Sequence, residues 1–185
     1  MNPILEEIDK LYRPFEDTNM RYVAADYIQQ LTDEAFEEFS RNEAEGNAAR
    51  RNADEKLFAI IGSLSHDDLI EGYAQACRTL KGNIGGYMYM HFDEAYIPTM
   101  IQGIKDDDDT AYLFLGILEE HLDGDSFVPI VLEALAKEKH RTVDTALAMV
   151  EKLGLVEVTP LVMTLSENPN PNIARAARRI LPQLQ

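Results

Sequence analysis

The side chains with most scope for chemistry in this sequence are four histidines, His66, His91, His121 and His140, and a dense set of acids. His91 and His121 are well separated in sequence, but stacked helices could bring them together. Each has carboxylates beside it: Asp93 and Glu94 near the first, Glu119, Glu120 and Asp123 near the second. Imidazole and carboxylate together suit a divalent metal, which in an open site activates water for hydrolysis. The same histidines also suit helix C-termini, where a cation is favoured by the unpaired carbonyls. Asp106-Asp107-Asp108-Asp109 invites calcium, yet the calcium-loop pattern wants glycine sixth and glutamate twelfth, and Ala111 and Ile117 stand there. Four adjacent aspartates repel one another. The run is therefore expected to be solvated, with Asp109 capping the next helix, or to be relieved by a cationic partner.

Other catalytic signatures are missing. The chain has no GxSxG, Walker, GxGxxG or HExxH pattern. Gly82-Asn83-Ile84-Gly85-Gly86 has glycines but no following Lys-Ser/Thr, and it reads as a turn. Cys77 is the single cysteine, which excludes an internal disulfide and a cysteine-based zinc or redox motif. The expectation is a chain that is not an enzyme and holds no metal or cofactor.

Charge and aromatic placement point instead to binding. The net charge is −16 over 185 residues. Residues 1–125 carry 27 acids and 10 bases, while 126–185 carry 6 and 7; within 93–125, ten acids face one base, Lys105. Such a field repels nucleic acid and anionic membrane and draws in basic partners. Beside it lie Tyr87, Tyr89, His91, Phe92 and Tyr96, with Met88 and Met90 interleaved. Tyrosine buries area while keeping a polar tip, which suits an interface, although these rings would equally fill a gap between irregular and regular helices. The candidate partner-binding residues are Tyr87, Tyr89, Asp93, Glu94, Asp106, Asp107, Asp108, Asp109, Glu119, Glu120, Asp123 and Asp125.

The elements that must position these residues are helical. Pro98, Pro129 and Pro160 stand at one constant interval, and the same interval aligns Met100-Ile101 with Val131-Leu132 and Val162-Met163. It also aligns Leu115, Ala146 and Ala177; Leu118, Met149 and Ile180; and Leu122, Leu153 and Leu184. Each unit carries two apolar stripes at spacings of three and four, the pattern of one helix face. Turn residues separate them: 105–110, 137–140 and Asn168-Pro169-Asn170-Pro171. The prolines are expected in the first turn of each first helix, with Ser126 as an N-cap, and Gly124 and Gly154 at helix C-termini. One short helix cannot bury its stripe alone, but stacked hairpins can.

Toward the N-terminus the repeat fades. A degenerate unit is expected at 65–92, with a helix from near Ser65 to about Leu80. Irregular helices are predicted at roughly 3–12, 20–30, 33–45 and 53–64, with 42–52 as a loop or frayed end. The chain is thus read as a single domain over 1–185: irregular helices at 1–64, the degenerate repeat at 65–92, and three regular repeats at 93–185.

Two helices per unit of this length resemble short HEAT-like repeats. The closest likeness is Val158-Thr159-Pro160-Leu161-Val162-Met163 followed by Ile173-Ala174-Arg175-Ala176-Ala177-Arg178-Arg179-Ile180-Leu181. That resemblance implies an all-α, right-handed α-α superhelix. It does not extend to the HEAT-like DNA glycosylases, since this chain is acidic and has no tryptophan to stack on a base. Small acidic α-solenoids are also similar to the helical immunity proteins of bacterial polymorphic toxin (contact-dependent growth inhibition) systems. This likeness implies an inhibitor that occludes a basic toxin domain, such as a nuclease or ribonuclease, and is monomeric when free. The alternative is a solenoid adaptor using Leu113, Ile117, Glu120, Asp144, Ala148, Glu151 and Arg179, and a third reading is a metal-dependent hydrolase built on His91 and His121. No apolar run reaches the ~18 residues of a membrane span. The opening residues Met1–Glu7 lack a signal peptide's basic and apolar regions, so a cytoplasmic location is expected.

Overall fold

A computed structural model describes residues 1–16 and 31–184. Among them are ten α-helices, several short 3₁₀ turns and no strand. No helix among the described residues is long and apolar enough to cross a membrane. The helix expected at 20–30 lies outside the described residues. The chain divides into two compact units, Met1–Tyr87 and Met88–Gln185.

The first unit contains α1 (Pro3–Tyr12), α2 (Asp33–Ile60), α3 (His66–Gln75) and most of α4 (Arg78–Met90). Helix α1 starts where expected: Asn2 accepts the Ile4 N–H at 3.0 Å and Pro3 occupies the first position, where its missing N–H costs nothing. It buries Leu5, Ile8 and Tyr12. The loop expected at 42–52 is not there, because α2 runs unbroken through it. Alanine, glutamate and arginine are strong helix formers, no proline interrupts them, and the weak point, Gly46, is used for packing. A Cβ at Gly46 would lie 3.0 Å from Phe15 Cβ, and Arg50 donates to the Phe15 carbonyl at 3.2 Å.

The expected single helix from Ser65 to Leu80 is two helices. Ser65 and Asp68 form a reciprocal capping box that starts α3. The chain then turns extended at Ala76, and α4 begins beyond it. The break is made by carboxylates from elsewhere: Asp9 accepts the Cys77 N–H at 2.6 Å, and Glu16 accepts the Thr79 N–H at 3.2 Å. Those bonds satisfy N–H groups that a fresh helix start leaves open. The turn expected at Gly82–Gly86 is also overturned, since these residues lie inside α4. Leu80, Ile84 and Met88 are buried at helical spacing, and that burial offsets the glycines' weak propensity. Gly72 also allows close approach: a Cβ there would sit 2.7 Å from Leu5 Cδ1 and 3.2 Å from Ile84 Cδ1, so Leu5 would have to shift.

The second unit contains three helix pairs: α5 (Ile97–Lys105) with α6 (Ala111–His121), α7 (Gly124–Leu135) with α8 (His140–Leu153), and α9 (Thr159–Leu165) with α10 (Pro171–Ile180). The helices of each pair pack together, and α6, α8 and α10 stack in order. The 31-residue register is a burial register: Met100, Val131 and Val162 are buried, as are Leu115, Ala146 and Ala177. Fully burying a Val, Leu or Met side chain in these rows contributes about 1.5–3 kcal/mol. Tyr96, Phe127 and Val158 hold the same spacing and are buried too, a row absent from the sequence-based alignment.

Helix ends bring several corrections. Pro98 and Pro160 do stand in the first turns of α5 and α9. Pro129 instead lies inside α7, which starts earlier because Asp123, not Ser126, is its N-cap; Asp123 accepts the Ser126 N–H at 2.8 Å. Gly124 therefore opens α7 and does not terminate α6. Gly154 closes α8 at φ 64°, the left-handed conformation in which glycine is unstrained. Asp109 does not cap α6; the residue before that helix is Thr110, and Asp109 pairs with Lys139 at 3.0 Å.

Candidate functional site

The acidic run of the first repeat is built into the joint with the next repeat. Asp107 has φ 52°, unusual for a residue other than glycine, and this backbone turns its carboxylate toward the start of α8. There it accepts the Glu138 N–H at 3.1 Å, the Lys139 N–H at 2.9 Å and the Thr142 hydroxyl at 2.9 Å. Thr142 is buried, so its hydroxyl needs this acceptor. Lysines approach from the same side. Lys139 Nζ donates to the Asp107 carbonyl, and Lys137 Nζ donates to the Lys105 carbonyl at 2.8 Å while pairing with Glu133 at 2.5 Å. The Lys137 ammonium holds the Glu133 carboxyl below the usual carboxylate range. Of the four aspartates, Asp109 meets a cation within the chain, Lys139 at 3.0 Å.

The other candidate acids divide by use. Asp93 is half-buried and accepts the Ala95 N–H at 2.9 Å, starting a 3₁₀ turn. Glu119 is half-buried and pairs with Lys152 at 2.7 Å. Asp108 is half-buried within the joint, and its carbonyl accepts the Ala111 N–H at 3.0 Å. Asp123 is exposed but caps α7, and the Ser126 N–H and hydroxyl hold its carboxyl below its ordinary range. Asp106 is exposed and accepts from Gln102 at 2.8 Å. Glu94, Glu120 and Asp125 are exposed. These last four, with Asp123, are the acidic groups of the first repeat most open to a partner.

The aromatic cluster does not act as one patch. Tyr96 and Met88 belong to the core of the second unit. Phe92 stacks on His121 with ring centroids 3.8 Å apart and planes at 11°. Tyr89 and Met90 are exposed, Met90 at 75%. Tyr87 is half-buried in the first unit, its hydroxyl 3.8 Å from where a Cβ on Gly62 would stand. His121 is the last residue of α6 and His91 follows α4 directly, the helix-end positions available to them in the sequence. Among the described residues, no group of three or more histidine, cysteine or carboxylate side chains is arranged to hold a metal ion.

The alternative surface, on the second helices, is formed in part. Leu113 and Ile117 are half-buried, while Glu120, Asp144, Ala148, Glu151 and Arg179 are exposed. The internal use of Asp107 was missed from sequence, although a signal was present. In the 31-residue register, the acidic loop Lys105–Asp109 aligns with the basic loop Ala136–His140, which contains Lys137 and Lys139. Comparison with protein-family models, with curated proteins and with solved structures returns no match.

Proposed function

We propose that the chain is a protein-binding inhibitor, of the kind that neutralises a basic toxin domain by covering its active site. One observation carries this reading: Glu94, Asp106, Glu120, Asp123 and Asp125 are exposed on a stretch with ten acids and one base. Such a surface accelerates encounter with a cationic partner and competes with phosphate for a nuclease groove. The exposed Tyr89 and Met90 would add apolar contact beside it. In this reading the protein is not an enzyme, and Asp107 and Asp109 serve to hold the scaffold while Asp106 faces the partner.

The test is to recover the partner from the native host and measure its association with the purified chain. A small basic domain is expected, with an association rate that falls about tenfold or more from low to high salt. Glu94→Gln, Glu120→Gln and Asp125→Asn together should slow association while leaving the helical content unchanged. A large neutral assembly as partner, or a rate indifferent to salt and to those substitutions, would overturn the reading.

The adaptor reading has an observation of its own. Leu132, Leu161 and Met163, on the first helices of the last two repeats, are exposed apolar side chains. A multi-component assembly recovered in the same experiment would favour it.

A further inference from the structure

A pocket of about 380 Å³ lies between α8 and α10, lined by His140, Asp144, Asn172, Arg175, Ala176 and Arg179. Its chemistry is opposite in sign to that of the molecule. The chain carries a net −16, yet this lining has two guanidinium groups and an imidazole against one carboxylate. Arg175 and Arg179 are four residues apart on α10, which places them on one helix face. Arg175 Nη2 donates to Asn172 Oδ1 at 2.8 Å, a bond that orients the guanidinium and uses one of its five N–H donors. Arg179 stands 3.7 Å from Asp144, beyond hydrogen-bonding distance, with both side chains more than half exposed. Buried Ala176 lies between the two arginines in sequence and keeps the space above it open.

We propose that this pocket binds a carboxylate, gripped by the Arg175 and Arg179 guanidinium groups. A planar guanidinium presents paired N–H donors that match the two oxygens of a carboxylate or phosphate. Asp144 decides between these. With Asp144 beside them, the two guanidinium groups leave about one positive charge, which a carboxylate's single charge matches, whereas the second charge of a phosphate would stand uncompensated in the protein's negative field. The site is independent of the acidic surface on the first repeat and does not rest on the inhibitor reading.

The test uses the full chain, isotopically labelled and titrated with acetate and, separately, with inorganic phosphate, at ionic strength held constant with chloride. Acetate is expected to produce saturable shifts of the His140, Asn172 and Arg175 amides. Arg175→Gln with Arg179→Gln should weaken this binding about tenfold or more, since each charged hydrogen bond lost is large on that scale. Both side chains are exposed, and the spectrum itself reports whether the variant folds. Asp144→Asn removes the competing carboxylate and should tighten acetate binding about threefold, the scale of an exposed ion pair. Shifts that stay linear in acetate, or that survive the double substitution, overturn the site; saturable binding of phosphate alone overturns the assignment to carboxylate.

Discussion

In the second unit a position recurs once per repeat and an apolar side chain fills it each time, as at Met100, Val131 and Val162. In the first unit, the start of α4 is closed by carboxylates supplied from outside that helix, Asp9 for Cys77 and Glu16 for Thr79. The first unit also holds a side-chain network: Tyr12 donates to Asp54 at 2.5 Å, and Asn83 donates to Tyr12 at 3.0 Å and to Asp54 at 3.1 Å. The contrast is one of recurrence: burial rows repeat in every pair of the second unit, whereas its directional joint, Asp107 at the start of α8, occurs once. An irregular packing has no such repetition, and long-range directional bonds fix where α4 must begin.

The sharpest way to break this contrast is to remove apolar volume from the repeats. Leu115 is fully buried, and Leu115→Ala should cost about 3 kcal/mol through lost transfer energy and a residual cavity. Urea unfolding gives the magnitude, and hydrogen exchange should show protection lost first in α5 to α8. Equal loss throughout residues 1–87 would mean that the two units share one cooperative core.

A smaller effect is expected from Asp9→Ala, about 2 kcal/mol, because it leaves the Cys77 N–H buried without its acceptor. The Asp9 carboxylate also receives two bonds from Arg13, at 2.9 and 2.5 Å, but that arginine is more than half exposed and can turn to water. Asp9→Asn keeps an acceptor and should restore much of the loss. Exchange at the start of α4 should rise in the alanine variant alone, and no change there would remove the carboxylate cap from the account.

The smallest effect is a pH dependence. Burial pushes the Cys77 thiol up to about 12, and burial with the Asp54 bond raises the Tyr12 hydroxyl above the ordinary tyrosine range. Both groups are neutral when protonated, and each folded-state value lies above its unfolded one. Their contribution to stability is therefore fully present below the ordinary thiol range and is lost as pH rises through it toward the folded values. The thiol alone should cost about 1 kcal/mol by about pH 9.5. Denaturant midpoints measured from pH 7 to 9.5 should fall, and Cys77→Ala should flatten that fall. An identical slope in the variant would leave the thiol without a role.

The same contrast explains what could be read from the sequence. The repeats were legible because burial at a fixed period leaves the same side-chain class at the same offset, and the rows containing Leu115 and Leu118 showed it. The Tyr96, Phe127 and Val158 row was harder to see, since an aromatic and a β-branched residue fill equivalent space. Capping was legible only when local. Ser65 and Asp68 announce α3, whereas the cap on α4 comes from Asp9, 68 residues earlier. A stretch of alanine, glutamate and arginine around Gly46 reads as surface, and only the packing of Phe15 on that glycine explains its continuity. At the candidate site, acidity was legible, but the division between spent and available carboxylates was not. Asp107 and Asp106 are neighbours in sequence, and backbone geometry sends one into the joint and leaves the other exposed.

The Asp107 contact gives the array a fixed order. At the equivalent offset the second repeat offers Glu138 and the third Pro169, and neither is an aspartate in the left-handed conformation. The pair Lys137 and Lys139 is likewise peculiar to the second repeat, aspartates standing at the equivalent places of the first and asparagines at those of the third. The first and second repeats are thus shaped as a key and its lock, and copying, deleting or exchanging them would leave one half of that pair facing the wrong neighbour. Although its periodicity is that of interchangeable modules, the second unit is a sentence with one word order.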